Sequence, residues 1–351
     1  METENMYGNM SPKYVTRTLV VLTTFSFLLS GCGKSELQQR RDRVAEAHNP
    51  TSNRPSDPQE QPQQDDSQNK PTKKKRNKYQ SASNEIDGPV PTVDITAPAG
   101  EDRINILAWN VESDGNDPAS IANQIEGMKG FNLFAFSEVL GNSSADLYEQ
   151  AAGKHWGNVE SILSSTGRRD RLLFLVNTDV FEIIKAEELQ EFNVQNKYRA
   201  PHAVTLKHKA TETVFLVLNN HLARGNEDNR QLQADGLREW ARSQTLPILA
   251  VGDYNFDYVF ESKQGNPAFT KFMRDGIWKW VQPEEMVDSN WFDGDGDQID
   301  DYPGSILDFA FVAGPAKDWN ATCRVLQWEG DFPDNANTSD HLPLELSVQI
   351  R

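Results

Sequence analysis

The chain has 351 residues, of which only 37% are apolar, and a formal net charge of −17. Its length leaves room for one large domain or two ordinary ones. The first hundred residues nearly balance their charges, so the acidity belongs to the remainder and disfavours a broad basic surface for duplex DNA. Nucleic acid is not excluded as a substrate, because a metal-bearing site can neutralise phosphate locally.

The N-terminal segment has the pattern of a secretory signal. Lys13 and Arg17 precede an apolar run from Leu19 to Leu29 that is short for a transmembrane helix. The run ends in Leu29-Ser30-Gly31-Cys32, which resembles the bacterial lipobox, where the cysteine becomes the lipidated first residue. The resemblance implies a signal peptide over residues 1–32 and a lipid anchor at Cys32. By resemblance to enterobacterial sorting rules, Gly33 after the cysteine implies the outer membrane of the bacterial cell envelope. Whether the anchored protein lies on the periplasmic or the extracellular face stays open. The alternative is an ordinary signal peptide with a chance cysteine.

The segment 33–100 is poor in large apolar residues and rich in Gln, Asn, Ser, Pro and Lys. Such a composition predicts a disordered spacer between the membrane and a globular domain over residues 101–351. Its basic run, Lys73-Lys74-Lys75-Arg76, is either simply solvated or in contact with anionic lipid headgroups. The only other cysteine, Cys323, lies far from Cys32, which argues against a disulfide framework and favours a packing role.

Short apolar runs in residues 101–351 predict buried strands and the segments between some of them predict helices. The predicted strands are Ile104 to Trp109, Phe131 to Phe136, Leu172 to Val176, Val214 to Leu218, Ile248 to Val251, Leu307 to Val312 and Leu344 to Ile350. One helix is predicted from Pro118 to Met128. Another is predicted from Asn229 to Ser243, with Leu232, Leu237 and Trp240 on its apolar face. The mixture indicates a layered α/β or α+β sandwich of unknown strand order.

Polar residues suited to catalysis stand at or near the ends of these runs: Asn110, Glu138, His221, Asp253, Asn255, Asp308, Asp340 and His341. Taken alone, each of these residues is explained as an ordinary polar residue at the junction between a strand and a loop. Together, the carboxylates and amides supply hard oxygen ligands for Mg²⁺ or Mn²⁺. A histidine paired with a carboxylate can activate water, and amides or a protonated histidine can stabilise charge on phosphoryl oxygens. The set therefore predicts hydrolysis of phosphate esters.

The motifs follow the order of a known family. They are Trp109-Asn110, Ser137-Glu138, Asn220-His221-Leu222, Gly252-Asp253-Tyr254-Asn255, Leu307-Asp308-Phe309 and Ser339-Asp340-His341. From about residue 103 to 350 the chain resembles the endonuclease/exonuclease/phosphatase superfamily of metal-dependent phosphoesterases. The resemblance implies that residues 101–351 form a catalytic domain. It also implies a four-layered sandwich in which two packed mixed sheets are flanked by helices.

The resemblance also implies residue roles. Glu138 would be the main metal ligand, with Asn110 and Asp340 near the same ion. His341 would orient or deprotonate water with support from Asp308, and Asp253 would position the nucleophile or transfer a proton. Which of Asp253 and His341 is the base stays open, as does the number of metal ions. Asn255 would contact a phosphate oxygen, and His221 would stabilise the developing charge or protonate the leaving oxygen. Arg199, in Arg199-Ala200-Pro201, would either contact phosphate or form a structural salt bridge.

An acidic segment precedes Asp308. Aspartates alternate with glycines or follow closely at Asp293, Asp295, Asp297, Asp300 and Asp301. This spacing is typical of calcium loops, although the glutamate at the last position of an EF-hand is missing. We expect a structural Ca²⁺ here, and the alternative is a solvated acidic loop.

Three classes of function remain at this stage. The complete set of polar residues favours an enzyme over a non-catalytic, calcium-stabilised surface lipoprotein of the same fold. A calcium-binding adhesion module would leave both histidines unexplained. The sequence leaves the substrate open among DNA, RNA, phospholipid, inositol phosphate and small diesters, and it leaves endo and exo cleavage undecided. We expect a monomer.

Overall fold

The computed structural model describes residues 95–351, apart from residues 114, 329, 335 and 336. The predicted signal peptide, the lipidation site Cys32 and the spacer up to residue 94 lie outside the described residues. Within the described part, no helix is both long and apolar enough to cross a membrane.

Two six-stranded mixed sheets form the centre of the fold. The first contains, in spatial order, β13 (Asn320–Val325), β14 (Leu344–Gln349), β2 (Arg103–Asn110), β4 (Leu133–Val139), β6 (Arg171–Asn177) and β5 (Val159–Leu163). The second contains β11 (Trp278–Trp280), β12 (Ser305–Ala313), β10 (Ile248–Val259), β9 (Val214–His221), β8 (His202–His208) and β7 (Phe181–Glu188). Each sheet has one parallel pair, β2 with β4 and β9 with β10. A separate parallel pair joins β1 (Ile95–Thr96) to β3 (Met128–Lys129).

Helices cover the outer faces of both sheets. They are α1 (Pro118–Ile125), α2 (Asn142–Ala152), α3 (Glu227–Ser243) and α4 (Pro267–Met273), with 3-10 turns at Gln190–Phe192, Val194–Asn196, Arg274–Gly276 and Gly314–Asp318. Side chains of both sheets share one apolar core, while α1 and α2 pack on the first sheet and α3 and α4 on the second. These four layers confirm the predicted α/β sandwich of two packed mixed sheets flanked by helices.

Burial of strand side chains between the sheets is the main source of stability. Ile106 and Phe174 of the first sheet and Val217 and Val251 of the second belong to this core and are fully buried. Each such side chain contributes about 1.5–3 kcal/mol through removal of its apolar surface from water. The sheets are thereby fixed face to face, and their strand ends are fixed with them.

Two helix predictions need correction. The helix that begins at Pro118 ends at Ile125 rather than Met128, because Gly127 follows and Met128 pairs with Ile95 in a short parallel strand. Leu232 does not belong to the apolar face of α3, since its side chain is 53% exposed. That helix is buried instead along Ala234, Leu237 and Ala241, with Trp240 partly buried against the same cluster.

Candidate active site

The strand register brings the predicted residues to one edge of the sandwich. In the second sheet, Asp253 pairs with His221 on one side and with Asp308 on the other. In the first sheet, Asn110 ends β2 beside Ser137, which precedes Glu138 on β4. An amide hydrogen bond then joins the two sheets, since Asn110 Nδ2 lies 3.2 Å from Asp253 Oδ2.

Strand β10 departs from regular geometry at the Gly-Asp-x-Asn motif. Its register with β12 shifts between Asp253 and Tyr258, as in a β-bulge beside a functional site. Gly252 has φ of +123°, and a Cβ atom there would lie 2.2 Å from the carbonyl oxygen of Asn220. The position therefore requires glycine. Beyond the bend, the Asn255 backbone N–H donates to Asp253 Oδ1 at 2.8 Å, and Asn255 Nδ2 donates to the Leu222 carbonyl at 3.1 Å.

His341 is held by a buried carboxylate. Its Nδ1 lies 2.8 Å from Asp308 Oδ2, which also accepts a hydrogen bond from Ser289 Oγ at 2.9 Å. Burial alone would lower the pKa of His341, but the charge of Asp308 and the hydrogen bond to it raise that pKa well above its ordinary value. The other ring nitrogen, Nε2, lies 3.9 Å from Asp253 Oδ2. His341 therefore presents a protonated ring nitrogen towards Asp253.

His221 forms a second histidine–carboxylate pair with a residue that the sequence interpretation missed. Its Nδ1 lies 3.1 Å from Asp170 Oδ1, and its Nε2 lies 3.3 Å from Asp253 Oδ2. Burial would raise the pKa of Asp170, but the charges of His221 and Arg199 outweigh it and hold the pKa below its usual value. Asp170 thus orients His221 as Asp308 orients His341.

Arg199 takes part in this second pair. Its Nη1 contacts Asp170 Oδ2 at 2.5 Å, and its Nη2 donates to the Leu222 carbonyl at 3.2 Å. This is the salt bridge that the sequence left as one of two alternatives. Contact between Arg199 and a phosphate group stays a prediction.

Asp253 lies between the two histidines and is almost fully buried. Burial would raise its pKa, but His221, His341 and the backbone N–H of Asn255 together lower the pKa below its ordinary value. The centre of the site therefore has an ionised carboxylate that faces two imidazole rings.

The predicted metal ligands lie beside this centre. Glu138 Oε1 accepts a hydrogen bond from Asn110 Nδ2 at 3.0 Å. Its Oε2 accepts from the backbone N–H and the hydroxyl of Ser113, both at 3.1 Å. Asp340 donates its backbone N–H to Glu112 Oε2 at 3.3 Å. Ser113 and Glu112 were not predicted from the sequence.

The electrostatics around Asp340 fit a cation. Burial raises the pKa of Asp340 to about 8, and the negative charges of Glu112, Glu138 and Asp334 act in the same direction against the opposing charge of His341. Such crowding of carboxylates is stable when a divalent cation neutralises it. The donors are carboxylate and amide oxygens, which suit Mg²⁺ or Mn²⁺.

The acidic segment before β12 forms a loop. The carboxylate oxygens of Asp293, Asp295 and Asp297 lie within 4.8 Å of one another, the only such set of His, Cys, Asp and Glu ligand atoms in the described residues. Asp300 and Asp301 lie outside this set. They accept backbone hydrogen bonds from Tyr302 at 3.0 Å and Gly294 at 2.7 Å, which brace the loop.

No protein-family model matches the sequence, and no curated protein is similar to it. Solved structures do share the fold. An endonuclease/exonuclease/phosphatase from Bacteroides vulgatus superposes with a TM-score of 0.54 at 14% identity, over 71% of this chain and 99% of the other. A mannosyl-6-phosphatase from Bacteroides thetaiotaomicron gives 0.50 at 16% identity, over 70% and 99%. D. rerio TDP2 in complex with a single-strand DNA product gives 0.50 at 14% identity, over 70% and 98%. The chain therefore has the fold of endonuclease/exonuclease/phosphatase proteins.

Proposed function

We propose that the chain is a divalent-metal-dependent phosphoesterase that hydrolyses phosphate monoesters or diesters by in-line attack of water. The observation on which this depends is the convergence of two histidine–carboxylate pairs on Asp253, beside the oxygen ligands of Glu138 and Asn110. Solved structures of the same fold include a mannosyl-6-phosphatase and a complex with a DNA product. Monoesters and nucleic acids are therefore both reasonable substrates.

Glu138, Asn110 and Asp340 would hold Mg²⁺ or Mn²⁺, which when bound supplies positive charge to the phosphoryl oxygens. Asp253 is ionised and is the better proton acceptor in the resting state, whereas His341 is protonated and can donate hydrogen bonds to a phosphoryl oxygen. His221, oriented by Asp170, is placed to stabilise or protonate the leaving oxygen. Asn255 would contact a non-bridging oxygen. We therefore propose Asp253 as the base, a choice that the sequence left open.

A substrate panel tests the proposed reaction. The purified full-length chain would be assayed with plasmid, single-stranded DNA, RNA, sphingomyelin, inositol phosphates, mannose 6-phosphate and bis-(p-nitrophenyl) phosphate. We expect Mg²⁺ or Mn²⁺ to support hydrolysis of at least one compound, and EDTA to abolish it reversibly. Hydrolysis that continues unchanged after complete metal removal would contradict the metal-dependent reaction.

We further propose that the enzyme is anchored to the cell envelope through a lipid on Cys32. The support is the apolar run that ends in Leu29-Ser30-Gly31-Cys32. In a bacterial host fed a radiolabelled fatty acid, the wild-type chain should carry the label and sediment with membranes. The Cys32→Ser variant should lose the label. A labelled Cys32→Ser chain would show that the anchor lies elsewhere.

Structural calcium in the acidic loop stays a prediction, supported by the clustering of Asp293, Asp295 and Asp297. A bound ion would stabilise the native state according to its concentration. We expect Ca²⁺ to raise the melting temperature of the wild-type chain by several degrees. The Asp295→Ala/Asp297→Ala variant should not respond. Equal responses of both proteins would place the effect outside this loop.

A further inference from the structure

A cavity of about 360 Å³ lies beside the proposed catalytic centre. Its lining includes Arg224, Arg230, Asp257, Asn290, Tyr302 and Ser305. The volume falls in the range of about 300–1,000 Å³ found for small-molecule sites. None of these six residues has a role in the hydrolysis proposed above.

The cavity and the catalytic centre share their walls. Asn266 Nδ2 donates to the backbone carbonyl of Asn255 and to Asp257 Oδ2, at 2.8 Å in both cases. The backbone of Asn290 pairs with that of His341 in an isolated β-bridge. A substrate whose phosphate lies near Asn255 and His341 can therefore extend its organic group into the cavity.

Two buried polar atoms of the lining have no hydrogen-bond partner among the described residues. Arg230 is 6% exposed and donates from Nη1 to the carbonyls of Ala223 and Arg224, but its Nε is unpaired. Asn290 is 7% exposed, and its Oδ1 is unpaired. Unpaired buried polar groups are costly and uncommon. Both residues line the cavity, so its wall includes a donor and an acceptor that no described residue pairs.

The rim of the cavity offers flat surfaces for a planar ring. Tyr302 is 49% exposed, and the guanidinium carbon of Arg224 lies 5.8 Å from the centre of its ring. The ring of Phe292, which is 48% exposed, lies 5.5 Å from that of Tyr302. Exposed aromatic rings and guanidinium planes are the surfaces on which unpaired nucleobases stack.

We infer that this cavity is a nucleobase subsite and that the substrates are nucleotides or nucleotide-containing esters. The inference rests on the proposed function for the position of the phosphate. A nucleobase combines a donor and an acceptor on its edge with two flat faces, which matches the lining. A second phosphate fits less well, because Asp257 already pairs with Arg224 and lies 3.8 Å from Arg230. A hexose could hydrogen-bond to polar groups of the lining but lacks the flat faces.

Calorimetric titration of the full chain tests the subsite without turnover. With EDTA present, the chain would be titrated with the four ribonucleoside 5′-monophosphates, ribose 5-phosphate and mannose 6-phosphate. Comparison with ribose 5-phosphate isolates the contribution of the base. We expect at least one nucleotide to bind about tenfold more tightly than ribose 5-phosphate. Tyr302→Leu and Asn290→Leu should each reduce the ratio of nucleotide affinity to ribose 5-phosphate affinity at least threefold. Leu232→Ala, an exposed apolar residue on α3, is the control that should leave it unchanged.

Equal affinity for nucleotides and ribose 5-phosphate would overturn the inference, as would tighter binding of mannose 6-phosphate or no binding of any compound. The inference would also be overturned if the Tyr302→Leu variant kept the wild-type ratio of nucleotide to ribose 5-phosphate affinity and the wild-type melting temperature. Failure of the proposed function would look different. The wild-type chain could prefer nucleotides, lose that preference in Tyr302→Leu, and yet hydrolyse no ester with any metal. That outcome would support the subsite and contradict the proposed enzymatic activity.

Discussion

Replacement of Asp253 by asparagine should lower kcat/KM for the substrate found in the panel by about a thousandfold. The carboxylate is ionised because two imidazoles and a backbone N–H stabilise its charge, and their effect outweighs that of burial. Asparagine keeps the size and shape of the side chain but removes both the charge and the ability to accept a proton. The loss should therefore appear in kcat more than in KM.

The measurement needs a control that separates chemistry from folding. Asp318→Asn removes a carboxylate that is exposed in the 3-10 turn Gly314–Asp318, and it should keep wild-type activity. His341→Gln should cost as much as Asp253→Asn, and the double variant should be little worse than either, because residues that act together give non-additive losses. An Asp253→Asn enzyme within tenfold of wild type at saturating Mg²⁺ would refute a catalytic role for this carboxylate.

The sequence predicted the centres of both sheets but not their edges. All seven predicted strands fall on observed ones, namely β2, β4, β6, β9, β10, β12 and β14. Each lies inside a sheet, where burial on both faces produces a continuous apolar run. The edge strands β5, β7, β11 and β13 have one partner each. They contain exposed polar residues, among them Glu160, Glu182, Lys279 and Asn320, so they lack that signal. Strand β8 is internal, but its sequence His-Ala-Val-Thr-Leu-Lys-His is not a continuous apolar run, so the sequence did not predict it.

The candidate site shows a similar division. Residues that follow strands or belong to recognisable motifs were predicted, whereas Asp170 and Ser289 were not. Asp170 directly precedes β6, and β6 runs antiparallel to β4. The beginning of such a strand lies at the same sheet edge as the end of its neighbour. Ser289 lies well upstream of β12, which runs antiparallel to β10, and its backbone N–H donates to the carbonyl of Ser305 at the start of β12 at 3.2 Å. Strand direction, which the sequence does not reveal, was the missing information.

The native state should lose about 3 kcal/mol of stability through His202 alone as the pH falls from 7.5 to 4. His202 on β8 is 3% exposed, and its ring lies 5.3 Å from that of Phe174. Burial lowers its pKa to about 4, against the raising effects of Glu188 and of the hydrogen bond to the Leu172 backbone. In the unfolded chain the histidine becomes protonated below about pH 6.5, whereas in the native state it becomes protonated only near pH 4. The native state is therefore destabilised relative to the unfolded chain as the pH falls from about 6.5 to about 4.

Denaturant unfolding of the wild type and His202→Gln at a series of pH values measures this contribution. Carboxylates titrate in both proteins, so their contributions cancel in the difference between the two free energies of unfolding. That difference should move by about 3 kcal/mol in favour of His202→Gln between pH 7.5 and 4. Leu232→Ala, which removes an exposed side chain that does not titrate, should keep the pH dependence of the wild type. A difference that stays constant with pH would mean that the native state accommodates a charged His202, and the buried environment of β8 would then need another description.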